Sequence, residues 1–201
     1  VEPVCEPRDW RWAERILPLA RQALERLGWA EIPGRLVLAV DALAPDERIW
    51  LQLAPREVVL HVHEGHFGHL PGGDTPLPWE MPPVAEAVEA SWDPATAAVF
   101  LHRQLLAARD LRDGVLRPAE VPARLAPAVQ EAWAVTIDGR LARHDWPSWS
   151  LAERRRLFAR RFAVGGELLP RHWETFRRLW DWDEPDHEGL VRAASGLPTP
   201  G

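Results

Sequence analysis

Residues 94–112, PATAAVFLHRQLLAARDLR, constrain the fold more than any other stretch. Their apolar residues recur at helical spacing, Asp93 stands at the cap position and Pro94 at the first helical position. The helix closes near Gly114. Such a helix is too apolar to stand alone in water and must lie against another apolar surface. The chain offers one just upstream. Arg35–Val40 (RLVLAV) is continuously apolar and reads as a strand interior to a sheet. Glu47–Leu53 alternates, with Ile49, Leu51 and Leu53 on one face. Glu57–His63 alternates too: Val58, Leu60 and Val62 face one way, Val59, His61 and His63 the other. This last run reads as an edge strand.

Ahead of the strands, residues 1–8 read as an irregular lead-in, and Asp9 can cap a helix that runs to Leu27 and stops at Gly28. Pro18 inside it predicts a kink or a broken turn. Glu64–Pro83 is a long Gly/Pro-rich loop, with a short helix expected over Val84–Ala90. Downstream, Pro118 opens a short helix and Pro127 a longer one over Ala128–Arg143. Ser150 and Glu153 form a capping box before LAERRRLFARRF, which Gly165-Gly166 ends. A last helix is expected over Leu168–Trp182, and the tail from Asp183 is expected to fray.

The implied fold class is α+β: an N-terminal helix, a small antiparallel or mixed sheet, then a helical C-terminal half. One domain over 1–201 is expected, with 9–144 as its core, 145–182 as a helical extension and 183–201 as a flexible tail. A hydrophobic content of 46% in 201 residues suits one sizeable core.

Composition excludes some chemistry. All 24 basic residues are Arg, so a catalytic lysine, a Schiff base and a P-loop are impossible. The net charge of −6 argues against general nucleic-acid or membrane-surface binding, and neither partner is expected. The single cysteine, Cys5, rules out an internal disulfide framework and a Cys-rich zinc site and points to a reducing cytoplasm. No apolar run has the length of a membrane helix and no signal peptide is visible. The chain opens on Val1 rather than Met, which leaves room for a segment ahead of it.

Two groups of residues bear on function. The first centres on His102 of the 94–112 helix, with Asp110 eight residues on along the same face. Glu131 and Asp138 lie seven apart, on one side of the later helix. The bland reading makes His102 a core histidine hydrogen-bonded to a carboxylate and pairs Glu131 and Asp138 with Arg103, Arg109 or Arg140. The second is the run HVHEGHFGH, with His61, His63, His66 and His69. Imidazoles converging at a strand end are a common beginning of a zinc site. Without a metal, the same run is the polar face of an edge strand and a solvated loop.

The order helix, strands, His102 helix, later helix resembles that of zincin metallopeptidases. There, an H-E-x-x-H helix gives two zinc ligands and a general base, and a later helix gives a third ligand. The resemblance covers roughly residues 9–144. It implies a metal-binding role for His102, with EAWAVTIDGRLARH as the second helix. The motif departs from the pattern: Arg103 stands in place of the catalytic Glu and Leu106 in place of the second His. A guanidinium stays protonated and cannot act as a base, and leucine cannot bind zinc. The resemblance therefore implies a degenerate metallopeptidase in which an Arg–carboxylate pair replaces the metal site.

The run His61–His69 also resembles the H-x-H-x-D-H motif of metallo-β-lactamase-fold hydrolases, with the acid one place early as Glu64. Three readings follow. The first is a zincin-like scaffold binding a peptide or protein. The second is a metal-dependent hydrolase, with zinc as the candidate ion, built on His61, His63, His66 and His69. The third is an interaction module using the Arg- and Trp-rich C-terminal helices. For these helices the bland reading makes Arg154-Arg155-Arg156 and Arg160-Arg161 a solvated face and the tryptophans packing residues.

Overall fold

The computed structural model describes residues 2–29, 34–40, 51–54, 56–62, 67–69, 91–163 and 168–198. The protein is α+β, with six α-helices and a four-stranded mixed sheet among the described residues. It divides into two compact units, residues 1–108 and 109–201.

The first unit opens with a strand, β1 (Glu2–Glu6), where an irregular lead-in was expected. Pro3 and the short length argue against a strand, but β1 sits at a sheet edge, where proline is tolerated. Its pairing with β2 (Arg35–Val40) supplies what propensity lacks. Helix α1 (Ala13–Arg26) joins these two parallel strands. It begins three residues later than a cap at Asp9 would set and runs through Pro18 as one helix. Gly28, at φ +69°, ends it: Gly28 N–H donates to Glu25 O and Trp29 N–H to Leu24 O at 2.7 Å.

Strand β3 (Leu51–Ala54) pairs antiparallel with β4 (Glu57–Val62), and β4 pairs parallel with β2. The sheet order is β1-β2-β4-β3, so β4 is interior and β3 is the edge. The edge position expected for β4 in the zincin-like order is not observed; its alternation reports one buried face, which a strand has at an edge or inside. Register places Pro3 and Cys5, Leu36 and Leu38, and Val58, Leu60 and Val62 on one buried face. Ile16, Ala20 and Leu24 of α1 are also buried. Strands β5 (Gly68–His69) and β6 (Ser91–Trp92) form a separate antiparallel pair. Phe67 beside them meets Trp10 and Phe100 with ring centroids 5.4 and 5.1 Å apart.

Helix α2 spans Pro94–Arg112, with the bounds the sequence implied. Asp93 caps it, accepting from Ala95 N–H at 3.0 Å and from Thr96 Oγ1 at 2.6 Å. Gly114 closes it at φ +77°, with Val115 N–H donating to Asp110 O at 2.8 Å.

The second unit follows with two 3-10 turns, Pro118–Glu120 and Ala123–Leu125, and then helix α3 (Ala126–Arg143). Helix α3 is buried along much of its length, from Ala128 to Leu141. Helix α4 (Leu151–Phe162) starts at the expected Ser150/Glu153 capping box. Helix α5 (Pro170–Trp180) ends two residues short of expectation. The tail, expected to fray, folds into helix α6 (His187–Ser195). Asp186 caps it through Gly189 N–H at 2.7 Å, and Leu190 and Ala194, one turn apart, are buried in the unit's core. That core joins Val129, Ala132 and Val135 of α3 to Phe158, Phe162, Phe176 and Leu179.

The short helix expected at Val84–Ala90 and the loop Glu64–Pro83 lie largely outside the described residues. So do residues 47–50 of the second strand candidate and the stop at Gly165-Gly166.

Candidate functional site

His102 and Arg103 lie in the first unit, and Glu131 and Asp138 in the second. His102 is fully buried on α2. Its Nδ1 lies 2.8 Å from Ala98 O, one turn back, and its Nε2 lies 3.3 Å from Arg26 Nη1. A carbonyl only accepts and a guanidinium only donates. The proton is therefore on Nδ1, and the Nε2 lone pair points at Arg26. Burial lowers the His102 pKa; the hydrogen bond to Ala98 opposes this, and the Arg26 charge reinforces it. His102 is thus a neutral imidazole whose free lone pair, the one a metal would need, is engaged by an arginine. Arg103 and Leu106 are buried on the same helix.

In the second unit Arg154 is fully buried, and its guanidinium joins Glu131 to Asp138. Nη2 donates to Glu131 Oε1, and Nη1 lies 3.5 Å from Asp138 Oδ2. Asp138 Oδ1 also accepts Trp149 N–H at 3.3 Å. The two carboxylates are buried because α3 is the central helix. A cation between them offsets what two buried negative charges would otherwise cost. This corrects one expectation: Arg154 is no part of a solvated basic face but bridges the two acids. The signal was present: Arg154 falls three, four and eight positions before Leu157, Phe158 and Phe162, on the buried stripe of α4.

A second buried pair was not foreseen. Arg140 grips Asp110 with two nitrogens, at 2.9 and 2.5 Å, and Trp133 Nε1 adds a third donor to Asp110 at 2.7 Å. Arg109 pairs with Asp113. Trp173, Trp180 and Trp182 are partly buried against the core of the second unit, as packing residues would be.

Of the histidine run, His61 is half-buried on β4, on the face opposite Leu60. It lines a shallow pocket of about 650 Å³ with Val37, Ala39, Gln52 and Val59. His63 and His66 lie outside the described residues, as does the side chain of His69. Among the described residues, no three His, Cys, Asp or Glu side chains are placed to hold one metal ion. No described helix is long and apolar enough to cross a membrane.

No family model, curated protein or solved structure matches this chain.

Proposed function

We propose that this chain is a zincin-like binding scaffold, a degenerate metallopeptidase that holds a peptide or protein partner and does not cleave it. The observation that carries this reading is the contact between His102 Nε2 and Arg26. The one histidine that the resemblance assigns to a metal has its lone pair directed at a cation. Arg103 and Leu106 add support, since neither a base nor a second imidazole stands where the motif needs one. Glu131 and Asp138, the acids of the later helix, are engaged by Arg154. The order α1, β2 to β4, α2, α3 is that of the resemblance. The buried free thiol of Cys5 supports a cytoplasmic setting.

The test is the metal content of the purified full chain by mass spectrometry, with His102→Ala and a His61→Ala/His63→Ala double variant in parallel. The expected result is no stoichiometric zinc in any sample and no peptidase activity on casein. One zinc per chain that is lost with His102→Ala would overturn the scaffold reading and restore a metal site at α2. Zinc lost only in the double variant would overturn it in favour of a hydrolase built on His61, His63, His66 and His69.

A further inference from the structure

In the second unit, α5 and α6 leave an open groove of about 1100 Å³. Arg171, Glu174 and Arg178 form one wall; their spacing of three and four positions puts them on one stripe of α5. The α6 wall is made of small residues, Gly189, Ala193 and Gly196, with Arg192 beside them. The indole of Trp182 lies against Gly189: a Cβ there would stand 2.2 Å from Trp182 Cη2. The groove therefore combines a flat apolar surface with a row of guanidinium groups.

The charges are not balanced locally. Arg117, Arg140, Arg143 and Arg154 each meet a carboxylate within the unit. The guanidinium groups of Arg177, Arg178 and Arg192 meet none among the described residues, and all three line the groove. Four arginines face three acids there, and Asp186 is engaged in capping α6. In a chain of net charge −6, this is a local excess of positive charge.

We propose that the α5–α6 groove docks an acidic peptide segment in which carboxylates alternate with aliphatic residues. Guanidinium groups pair with carboxylates through two parallel hydrogen bonds, which favours Asp and Glu side chains over other polar groups. Trp182 and Ala193 take the aliphatic residues between them. Glu174 and Asp181 disfavour a uniformly charged polyanion such as nucleic acid, because its phosphates cannot avoid them. This deepens the partner-binding reading above and rests on it, but its test does not involve metal, so the two fail separately.

The experiment measures fluorescence anisotropy of a labelled peptide of repeating Glu-Glu-Leu, titrated with the full chain. A Lys-Lys-Leu peptide, a single-stranded RNA and inorganic phosphate serve as comparators. Saturable binding of the acidic peptide is expected. Arg178→Glu/Arg192→Glu should weaken it by on the order of tenfold or more, since two guanidinium contacts become repulsive. Arg160→Glu/Arg161→Glu on α4 should leave it within about twofold, because rim charges outside the groove act mainly on rate. Circular dichroism checks that each variant is folded. Four results would overturn the proposal: absence of saturable binding, equal weakening by the α4 variant, tighter binding of the RNA, or full competition by phosphate at the peptide's own concentration.

Discussion

Arg26 Nη1 stands 3.3 Å from His102 Nε2 across 76 positions of sequence, linking α1 to α2. A protonated His102 would lose this acceptor and face a like charge. Burial, as the largest cause, lowers the His102 pKa from its ordinary 6.5, and His172 shifts the same way through burial and the Arg171 charge. The unfolded chain therefore takes up these protons first as pH falls. Stability is whole above about pH 6.5 and declines as pH drops below it toward the folded pKa values. Urea midpoints at about pH 7.5 and about pH 5.5 check this. Stability should be lower at the acid end, and His102→Gln should flatten part of the slope. A midpoint that rises on acidification contradicts the assignment.

Arg154→Met removes the buried cation that joins Glu131 to Asp138. A loss of about 3–5 kcal/mol in urea denaturation is expected. Arg160→Met, at an exposed position of the same helix, should stay within about 0.5 kcal/mol. Similar costs at the two positions would mean that Arg154 is not the bridge.

Asp145 holds φ +54°, in the left-handed region, at the residue that follows the α3 cap. Its N–H donates to Ala142 O at 3.0 Å and Trp146 N–H donates to Leu141 O at 3.0 Å, the closing bonds usual where glycine stands. Asp145→Gly is expected to stabilise by about 0.5 kcal/mol, relief of strain outweighing the added freedom of the unfolded chain. Asp145→Val should destabilise by about 1 kcal/mol or more. Thermal unfolding of the pair gives the sign.

Gly139 faces backbone rather than side chain. A Cβ there would lie 2.0 Å from the Trp180 carbonyl oxygen, which also accepts from Arg143 Nη1. Neither helix can yield without repacking the core between α3 and α5. Gly139→Ala is therefore expected to cost about 3 kcal/mol or more, although alanine is the better helix former. A Gly139→Ala variant as stable as the parent in denaturant titration would contradict that close approach.

Local rules made some of this structure legible and tertiary pairing hid the rest. Gly28 and Gly114 were readable as stops because a left-handed residue at a helix end favours glycine whatever surrounds it. The bounds of α2 and the Ser150/Glu153 box followed from capping chemistry for the same reason. Strand β1 was not readable, because EPVCE becomes a strand only beside β2. Helix α6 was masked by acidic, Pro- and Gly-rich neighbours, although Asp186, Leu190 and Ala194 carry a cap and a buried turn. At the candidate site, the burial of His102, Glu131 and Asp138 agrees with an apolar helix environment. The arginines that engage them, Arg26 and Arg154, are distant in sequence, and no spacing rule connects them.

The sheet of the first unit also orders the events of folding. Strands β3 and β4 are neighbours in the chain and can zip together as soon as their connecting turn closes. The ladder between β1 and β2 is parallel, and its two strands cannot meet until the whole stretch through α1 has looped back. Loop closure must then precede any reward from β-pairing, which slows assembly. The strand that comes first in the sequence is thus among the last to be secured, and until it arrives β2 presents an open, pairing-competent edge to other chains.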